Sequence, residues 1–533
     1  MFLSGNKKQS VKIRDQSVDL RETKDLYGRF MVLARSNRDI DMKNAVGKYE
    51  FTITPRALFA PNGSVLPCTD KSKLIHCLEK VKINEEVQQT QAQMSAEHGD
   101  GPETSLTPSK SPQIAVVDGM VLVQQLAMKQ GTISTVKDLG QHFNDRLLML
   151  TADFDEVILV FDTYKADSLK QKTREKRQQG KDPIQYQIDD KTNIKHIPMR
   201  RFLSHEQTKA DLTEYLAQAV LNQNANSQRL FITSASGSTR SNRSKMCFEE
   251  NNHEEADTLM ICLAASAAQR CPKARMVIFS PDTDVLVLAV AHYEKLCRNS
   301  AIHMASGTVE IEPIWKALGQ EKAGALPAFH AFTGADNVGR FSRISKTRWF
   351  QQYMKADKDI FSALVKLSDE GDVQQEVKDA LEKFVCSVYC PKGIDIKNII
   401  DLRWHLFCKH LAESSKLPPT VDALAEHIER VRVQSRVWCQ ATVMWQKPFD
   451  PLQHGYYQDP NGKILPTTTK VAPAPQAILE MVRCNCKTNC TTQRCSCRRH
   501  NLACTDLCLC GSECENDADC GGPNDTEESD EDL

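Results

Sequence analysis

Between residues 113 and 284 the chain repeats one pattern of apolar and polar positions. Short, almost unbroken apolar runs at 113–117, 156–161, 230–233 and 276–280 alternate with longer stretches of helical period. The longer stretches lie at 136–150, at 205–221, and from 253 into H-E-E-A-D-T-L-M-I-C-L-A-A-S-A. Apolar runs of this length are strands buried on both faces, and their alternation with helices predicts an α/β domain built on a parallel sheet. Upstream, 48–60 (K-Y-E-F-T-I-T-P-R-A-L-F-A) alternates as a strand does, Asn62-Gly63 predicts a hairpin turn, and a helix is expected over 71–81. Downstream, helical period returns at 358–367, 373–385, 396–410 and 421–432.

This pattern divides the chain. Residues 1–87 read as a small α+β region, and 88–112, rich in Gln, Ser, Pro and Gly, as a linker. Residues 113–345 form the α/β domain, 346–445 a helical extension, 446–480 a second linker, 481–516 a cysteine-rich module, and 517–533 an acidic tail.

Composition changes this picture in one respect. The chain has 533 residues, 41% of them hydrophobic, and a net charge of −1 that hides an uneven distribution. Residues 1–20 carry charges and no apolar core, so no secretory signal is expected. No run approaches the roughly 18 apolar residues of a membrane span. The expectation is therefore an intracellular protein without membrane contact, in which clustered cysteines mean metal sooner than disulfides. Ten of the 20 cysteines fall between Cys484 and Cys520.

Acids recur where the apolar runs end. Asp118 follows the first run in V-V-D-G, and Asp162 the second in L-V-F-D-T. Glu255 and Asp257 open a helix in E-E-A-D, Asp282 and Asp284 follow a strand in S-P-D-T-D, and Asp336 closes F-T-G-A-D-N. Groups at the carboxyl ends of strands line the ligand crevice of an open α/β sheet. Carboxylates crowded there cannot all stay ionised unaided, and a hard divalent cation with oxygen ligands is the economical remedy. Each acid taken alone is also an ordinary helix-start or turn residue.

In order and spacing these motifs resemble the PIN-like superfamily, in its flap-endonuclease (XPG-type) branch, over about 113–345. The resemblance implies a PIN/flap-endonuclease-like fold and phosphodiester hydrolysis with two Mg²⁺ or Mn²⁺ ions ~4 Å apart. It implies Asp118, Asp282, Asp284 and Asp336 as direct ligands, and Asp162, Glu255 and Asp257 as ligands directly or through water. The basic run that follows Asp162 carries Lys165, Lys170, Lys172, Arg174, Lys176 and Arg177. It stands where those nucleases place a basic helical arch, and is expected either to meet phosphates or to be a solvated helix face. After Asp336, N-V-G-R-F-S-R-I-S-K-T-R-W-F replaces the family's glycine-rich DNA grip, leaving Arg340, Arg343, Lys346 and Arg348 to meet phosphate.

The cysteine module offers nine thiols in C-x-C pairs and short loops: Cys484, Cys486, Cys490, Cys495, Cys497, Cys504, Cys508, Cys510 and Cys514. Three separate tetrahedral zinc sites need twelve sulfurs. If three sulfurs bridge, nine suffice for a three-zinc cluster. The spacing resembles the tesmin/TSO1-like CXC domain of DNA-binding proteins, which implies a nuclear location, DNA as partner and chromatin proteins as neighbours. The short loop 491–494 has no aromatic, so Arg494, with Lys487, Arg498 and Arg499, is expected to face DNA. A zinc knot for protein contact alone is the other reading of the module.

Two functions follow for the whole chain. One is a DNA-associated, two-metal-dependent nuclease with a zinc-cluster DNA-binding module. The other is a non-catalytic chromatin or transcription protein that binds through the CXC module and keeps the nuclease-like domain as a scaffold. No feature of the sequence specifies an oligomeric state.

Overall fold

The computed structural model describes residues 41–81, 111–127, 133–164, 183–410 and 416–475, position 53 apart. It also describes a hairpin of Gln9–Ile13 and Gln16–Leu20, and positions within 484–516 that include the nine clustered cysteines. The linker 88–110, the basic run 165–177 and the acidic tail lie outside the described residues. The chain forms two compact units: Val65–Phe384 with Ala425–Thr467, and Met1–Ser64 with Val385–Leu424 and Thr468–Leu533.

Seven strands centre the first unit: β1 (Gln113–Asp118), β2 (Glu156–Val160), β3 (Leu230–Ala235), β4 (Ser238–Ser241), β5 (Arg275–Phe279), β6 (Asn299–Met304) and β7 (Gly307–Glu310). Their order across the sheet is β4-β3-β2-β1-β5-β6-β7. All five residues of β2 are buried, which is why its sequence shows an unbroken apolar run and no alternation. The inner pairings are parallel, whereas β4 runs antiparallel to β3 and β7 to β6. The sheet is thus mixed and mostly parallel, not wholly parallel as the sequence pattern suggested. The reason is local. Ser236 and Gly237 both take positive φ (49° and 79°), and Gly307 takes φ 126°, so tight turns fold the edge strands straight back.

Helices cover both faces: α1 (Gly119–Ala127), α2 (Val136–Leu150), α3 (Glu206–Gln223), α4 (Ala256–Arg270), α5 (Thr283–Ala291), α6 (Ile311–Gly334) and α7 (Lys346–Lys355). A reciprocal cap between Thr135 and Asp138 fixes the start of α2. Leu139, Phe143 and Leu147 of α2 and Leu212 and Leu216 of α3 join Val117, Val157 and Leu159 in one buried cluster. The almost wholly buried α4 packs against β1 and β2. Gly319, at φ 72°, breaks α6. The helix expected over 71–81 forms at 73–81 and belongs to this unit.

In the second unit, among the described residues of 48–60, no strand forms: Lys48 ends a helix and 56–58 turn. Pro55 lacks an N–H and its carbonyl accepts from Leu58 (3.1 Å) and Phe59 (2.9 Å), which curls the chain. The turn at Asn62-Gly63 is present and closed by Ala60 N–H to Ser64 O at 2.9 Å. The guanidinium of buried Arg403 donates to the carbonyls of Val46 (2.9 Å), Tyr49 (3.0 Å) and Pro418, fastening the helix Met42–Lys48. No helix among the described residues is long and apolar enough to cross a membrane.

Candidate metal centres

Strand register brings the acids to one edge of the sheet. Asp118 pairs with Val160, and Val117 with Phe279, so β1, β2 and β5 finish level. The chain runs outward from β1 to β3 and then crosses back to β5, so strand order reverses between β1 and β5. Such a reversal opens a crevice at the carboxyl ends of the strands.

Backbone N–H groups at helix starts then hold the carboxylates. Asp118 Oδ1 accepts from Met120 (2.9 Å) and Val121 (3.3 Å) at the start of α1. Asp162 Oδ1 accepts from Ala256 N–H at 2.8 Å, at the start of α4, where Glu255 is the N-cap and Asp257 stands in the first turn. Asp282 caps α5 by accepting from Asp284 N–H at 3.0 Å. Positive helix ends offset part of the mutual repulsion of these acids. Gly119 is required here, because a Cβ would stand 2.2 Å from Cε1 of Phe161.

Asp118, Asp162, Glu255, Asp257, Asp282, Asp284 and Asp336 all line one cavity of about 190 Å³, which Gln434 and Trp438 help to wall. Oxygens of Asp257, Asp282 and Asp284 lie within 4.8 Å of one another, close enough for one cation to bridge. Burial, and the Asp162 carboxylate beside it, push the Asp118 carboxyl up to about 7. Burial and Asp284 likewise raise Asp282.

Asp284 is held on both oxygens. Its Oδ1 lies 2.8 Å from Nε2 of fully buried His330, whose ring stacks on Trp438 at a centroid distance of 5.6 Å. Burial first, and then the nearby Lys346 ammonium, hold the imidazole pKa well below 6.5. His330 is therefore neutral and donates through Nε2–H, because a carboxylate only accepts. On the other oxygen stands Lys71. Its Nζ lies 3.2 Å from Asp284 Oδ2, 3.3 Å from Asp282 Oδ1 and 3.3 Å from Asp336 Oδ1. Burial works against the charge on Lys71, yet the carboxylates of Asp284, Asp282 and Asp336 hold its pKa above the ordinary value.

Gln434 and Trp438, which line the cavity, and Lys71 and His330, which contact its acids, were not foreseen. His330 alone left a local trace, as the one polar group in the apolar run L-P-A-F-H-A-F that leads to Asp336. Of the four basic residues expected to meet phosphate after Asp336, Lys346 does not. It is buried, its Nζ donates to His330 O (2.8 Å) and Gly334 O (2.7 Å), and burial draws its pKa down to about 8. Arg343 and Arg348 are exposed and Arg340 half-buried. Lys165, Lys170, Lys172, Arg174, Lys176 and Arg177 lie outside the described residues. A larger opening of about 570 Å³ lies at the opposite end of the strands. Its acids are engaged, Asp155 by Gln113 N–H and Glu156 by Arg270, so it is not a second acidic centre.

In the second unit the nine cysteines converge into overlapping groups of four, with Cys484 and Cys504 shared by three groups each. Sulfur separations are 3.5 Å for Cys484–Cys490 and Cys497–Cys508, and 3.8 Å for Cys484–Cys504 and Cys495–Cys504. Disulfides need ~2.05 Å, whereas thiolates ~2.3 Å from a shared tetrahedral zinc sit ~3.8 Å apart. The donor set thus fits a thiolate-bound metal cluster. Glu515 N–H to Asn489 O (2.9 Å) and Asn516 Nδ2 to Cys504 Sγ (3.3 Å) close the module. Arg498 donates to Cys490 O (3.2 Å) and Arg499 to Gln493 O (3.2 Å), bracing the loop that exposes Arg494. Lys487 is exposed as well. The seven carboxylates fit a hard divalent ion by the same test, since all donors are oxygen, although the Lys71 ammonium already stands among them.

No known family profile matches the chain, and no curated protein matches it significantly.

Proposed function

We propose that the first unit hydrolyses phosphodiester bonds with divalent metal, and that the cysteine module, loaded with three zincs, holds the protein on DNA. One observation carries the first half: seven carboxylates from separate segments line one cavity where strand order reverses. A fold has no structural use for so many repelling charges in one cavity, and their clustering is what a polyvalent cation site requires.

Asp118, Asp282, Asp284 and Asp336 would hold the ions directly, with Asp162, Glu255 and Asp257 completing the shell or holding its waters. Bound Mg²⁺ or Mn²⁺ supplies charge that favours both nucleophilic water and leaving oxygen in an in-line displacement at phosphorus. The protein's own groups do the rest. His330 Nε2–H fixes the Asp284 carboxylate, the α5 cap fixes Asp282, and Ala256 N–H fixes Asp162. Trp438 and Gln434 narrow the cavity around the acids. Exposed Arg494 and Lys487 supply the module's phosphate contacts, which draw affinity from counterion release and carry no sequence code.

The non-catalytic reading has one observation in its favour, the Lys71 ammonium seated on three of the seven acids. A Mn²⁺-dependent cleavage assay on single-stranded, flap and hairpin DNA separates the two. Cleavage abolished by Asp282→Asn supports the nuclease. No cleavage of any substrate by wild type, with DNA binding retained, supports the scaffold.

A further inference from the structure

We propose that Lys71 is a resident cation of the carboxylate pocket, and that a divalent ion at Asp282, Asp284 and Asp336 binds only by displacing it. The inference rests on the metal-dependent reading above and specifies how that site is regulated.

The geometry is specific. One ammonium contacts Asp282 Oδ1, Asp284 Oδ2 and Asp336 Oδ1 at nearly equal distance, 3.2–3.3 Å. Two of these three acids are also in the trio whose oxygens lie close enough for one ion. Mg²⁺ and Mn²⁺ draw carboxylate oxygens in closer than an ammonium does, so ion and lysine compete for the same atoms. The His330 hydrogen bond holds the Asp284 carboxylate in place, so its Oδ2 meets ion and lysine from one fixed position.

The backbone beneath Lys71 is fixed. Arg340 N–H donates to Leu66 O at 3.0 Å, and Lys346 N–H donates to the Asp70 carboxylate at 3.1 Å. Gly339, at φ 84°, lets Val65 approach so closely that a Cβ there would stand 2.7 Å from Val65 Cβ. The segment is thus clamped to the loop after α6, and the flexible lysine side chain is the part free to leave. A seated Lys71 neutralises part of the acidic charge in the metal-free protein. It also lowers apparent metal affinity by the fraction of molecules in which the seat is taken. The pocket is therefore closed to divalent ions by a group of its own chain.

Calorimetric titration of MnCl₂ into full-length protein dialysed free of Mg²⁺ and Mn²⁺ tests this, using wild type, Lys71→Met and Lys71→Arg. Asp282→Asn identifies the heat that belongs to this pocket. Lys71→Met is expected to bind Mn²⁺ at least about tenfold more tightly than wild type, because the competing cation is gone, with Lys71→Arg staying nearer wild type. Equal or weaker binding by Lys71→Met overturns the exchange while leaving the metal site standing. Absence of pocket heat in all three proteins overturns the metal-dependent reading, and the exchange with it. Should Lys71→Met fold but prove too unstable for calorimetry without metal, melts with and without Mn²⁺ decide. A larger Mn²⁺-induced rise in Tm than in wild type supports exchange, and an equal or smaller rise overturns it.

Discussion

Asp118 gives the metal-free protein a pH-dependent contribution to stability. Its carboxyl titrates near 7 in the folded chain, against about 3.9 for an unperturbed aspartate. The folded state therefore holds this proton more tightly than the unfolded state does. The stability that the proton confers is complete below the unfolded value and is lost as pH rises through about 7. Asp118→Asn keeps an acceptor for Met120 and Val121 N–H and removes the charge. Its Tm advantage over wild type is expected to be large near pH 8 and to shrink toward pH 5. A constant difference across that range would show that the carboxyl is not strained. Gly119 permits a second residue-scale test. Gly119→Ala places a Cβ against the Phe161 ring, and overpacking of this kind costs about 1–3 kcal/mol. Denaturant unfolding measures it, and wild-type stability would mean that the ring yields freely. Every acid of the pocket was legible in the sequence, because each ends an apolar run or opens a helix. Lys71 was not. It lies 213 positions from Asp284, and no local period announces a contact across that span.

Elements were legible in proportion to how strongly burial stamps them. The expected helix 136–150 coincides with α2, and four of the five parallel strands lie within two residues of their apolar runs, the fifth, β6, having gone unread. The edge strands β4 (S-T-R-S) and β7 (G-T-V-E) were not seen, because four partly exposed residues carry neither an apolar run nor a clean alternation. The last long helix, Val421–Cys439, was read as ending at 432, which hid Gln434 and Trp438 from the site. The cysteine module, by contrast, was read from spacing alone, since its sulfurs stand in for a core. Native mass spectrometry of the full chain is expected to count three zincs, and chelation to release all three together with the module's fold. One or two zincs at saturation would mean a different ligand set. Arg494→Ala is expected to weaken DNA binding and to reduce its salt dependence by about one phosphate contact, read from the slope of log affinity against log salt. An unchanged slope would place Arg494 off the DNA.

At the scale of the whole molecule, the sheet's order matters more than any single motif. Running outward from β1 to β3 and then crossing back to β5 puts the carboxyl ends of β1 and β5 on either side of one crevice, with α4 and the loop after α6 closing over it. Alternation of strands and helices foretold the layers. It did not foretell that 65–81 would join this unit, because a polar linker separates that stretch from β1 in sequence. The result is an acidic pocket with a lysine of its own chain across it. The central claim, that the pocket performs metal-dependent phosphodiester hydrolysis, is tested most directly by cleavage of single-stranded, flap and hairpin DNA with Mn²⁺. Wild type, Lys71→Met and Asp282→Asn are compared, the last of which keeps the α5 cap while losing the charge. The expected result is cleavage of at least one substrate by wild type, more cleavage by Lys71→Met at limiting Mn²⁺, and none by Asp282→Asn. Equal cleavage by wild type and Asp282→Asn, or none by wild type and Lys71→Met at saturating Mn²⁺, would contradict it.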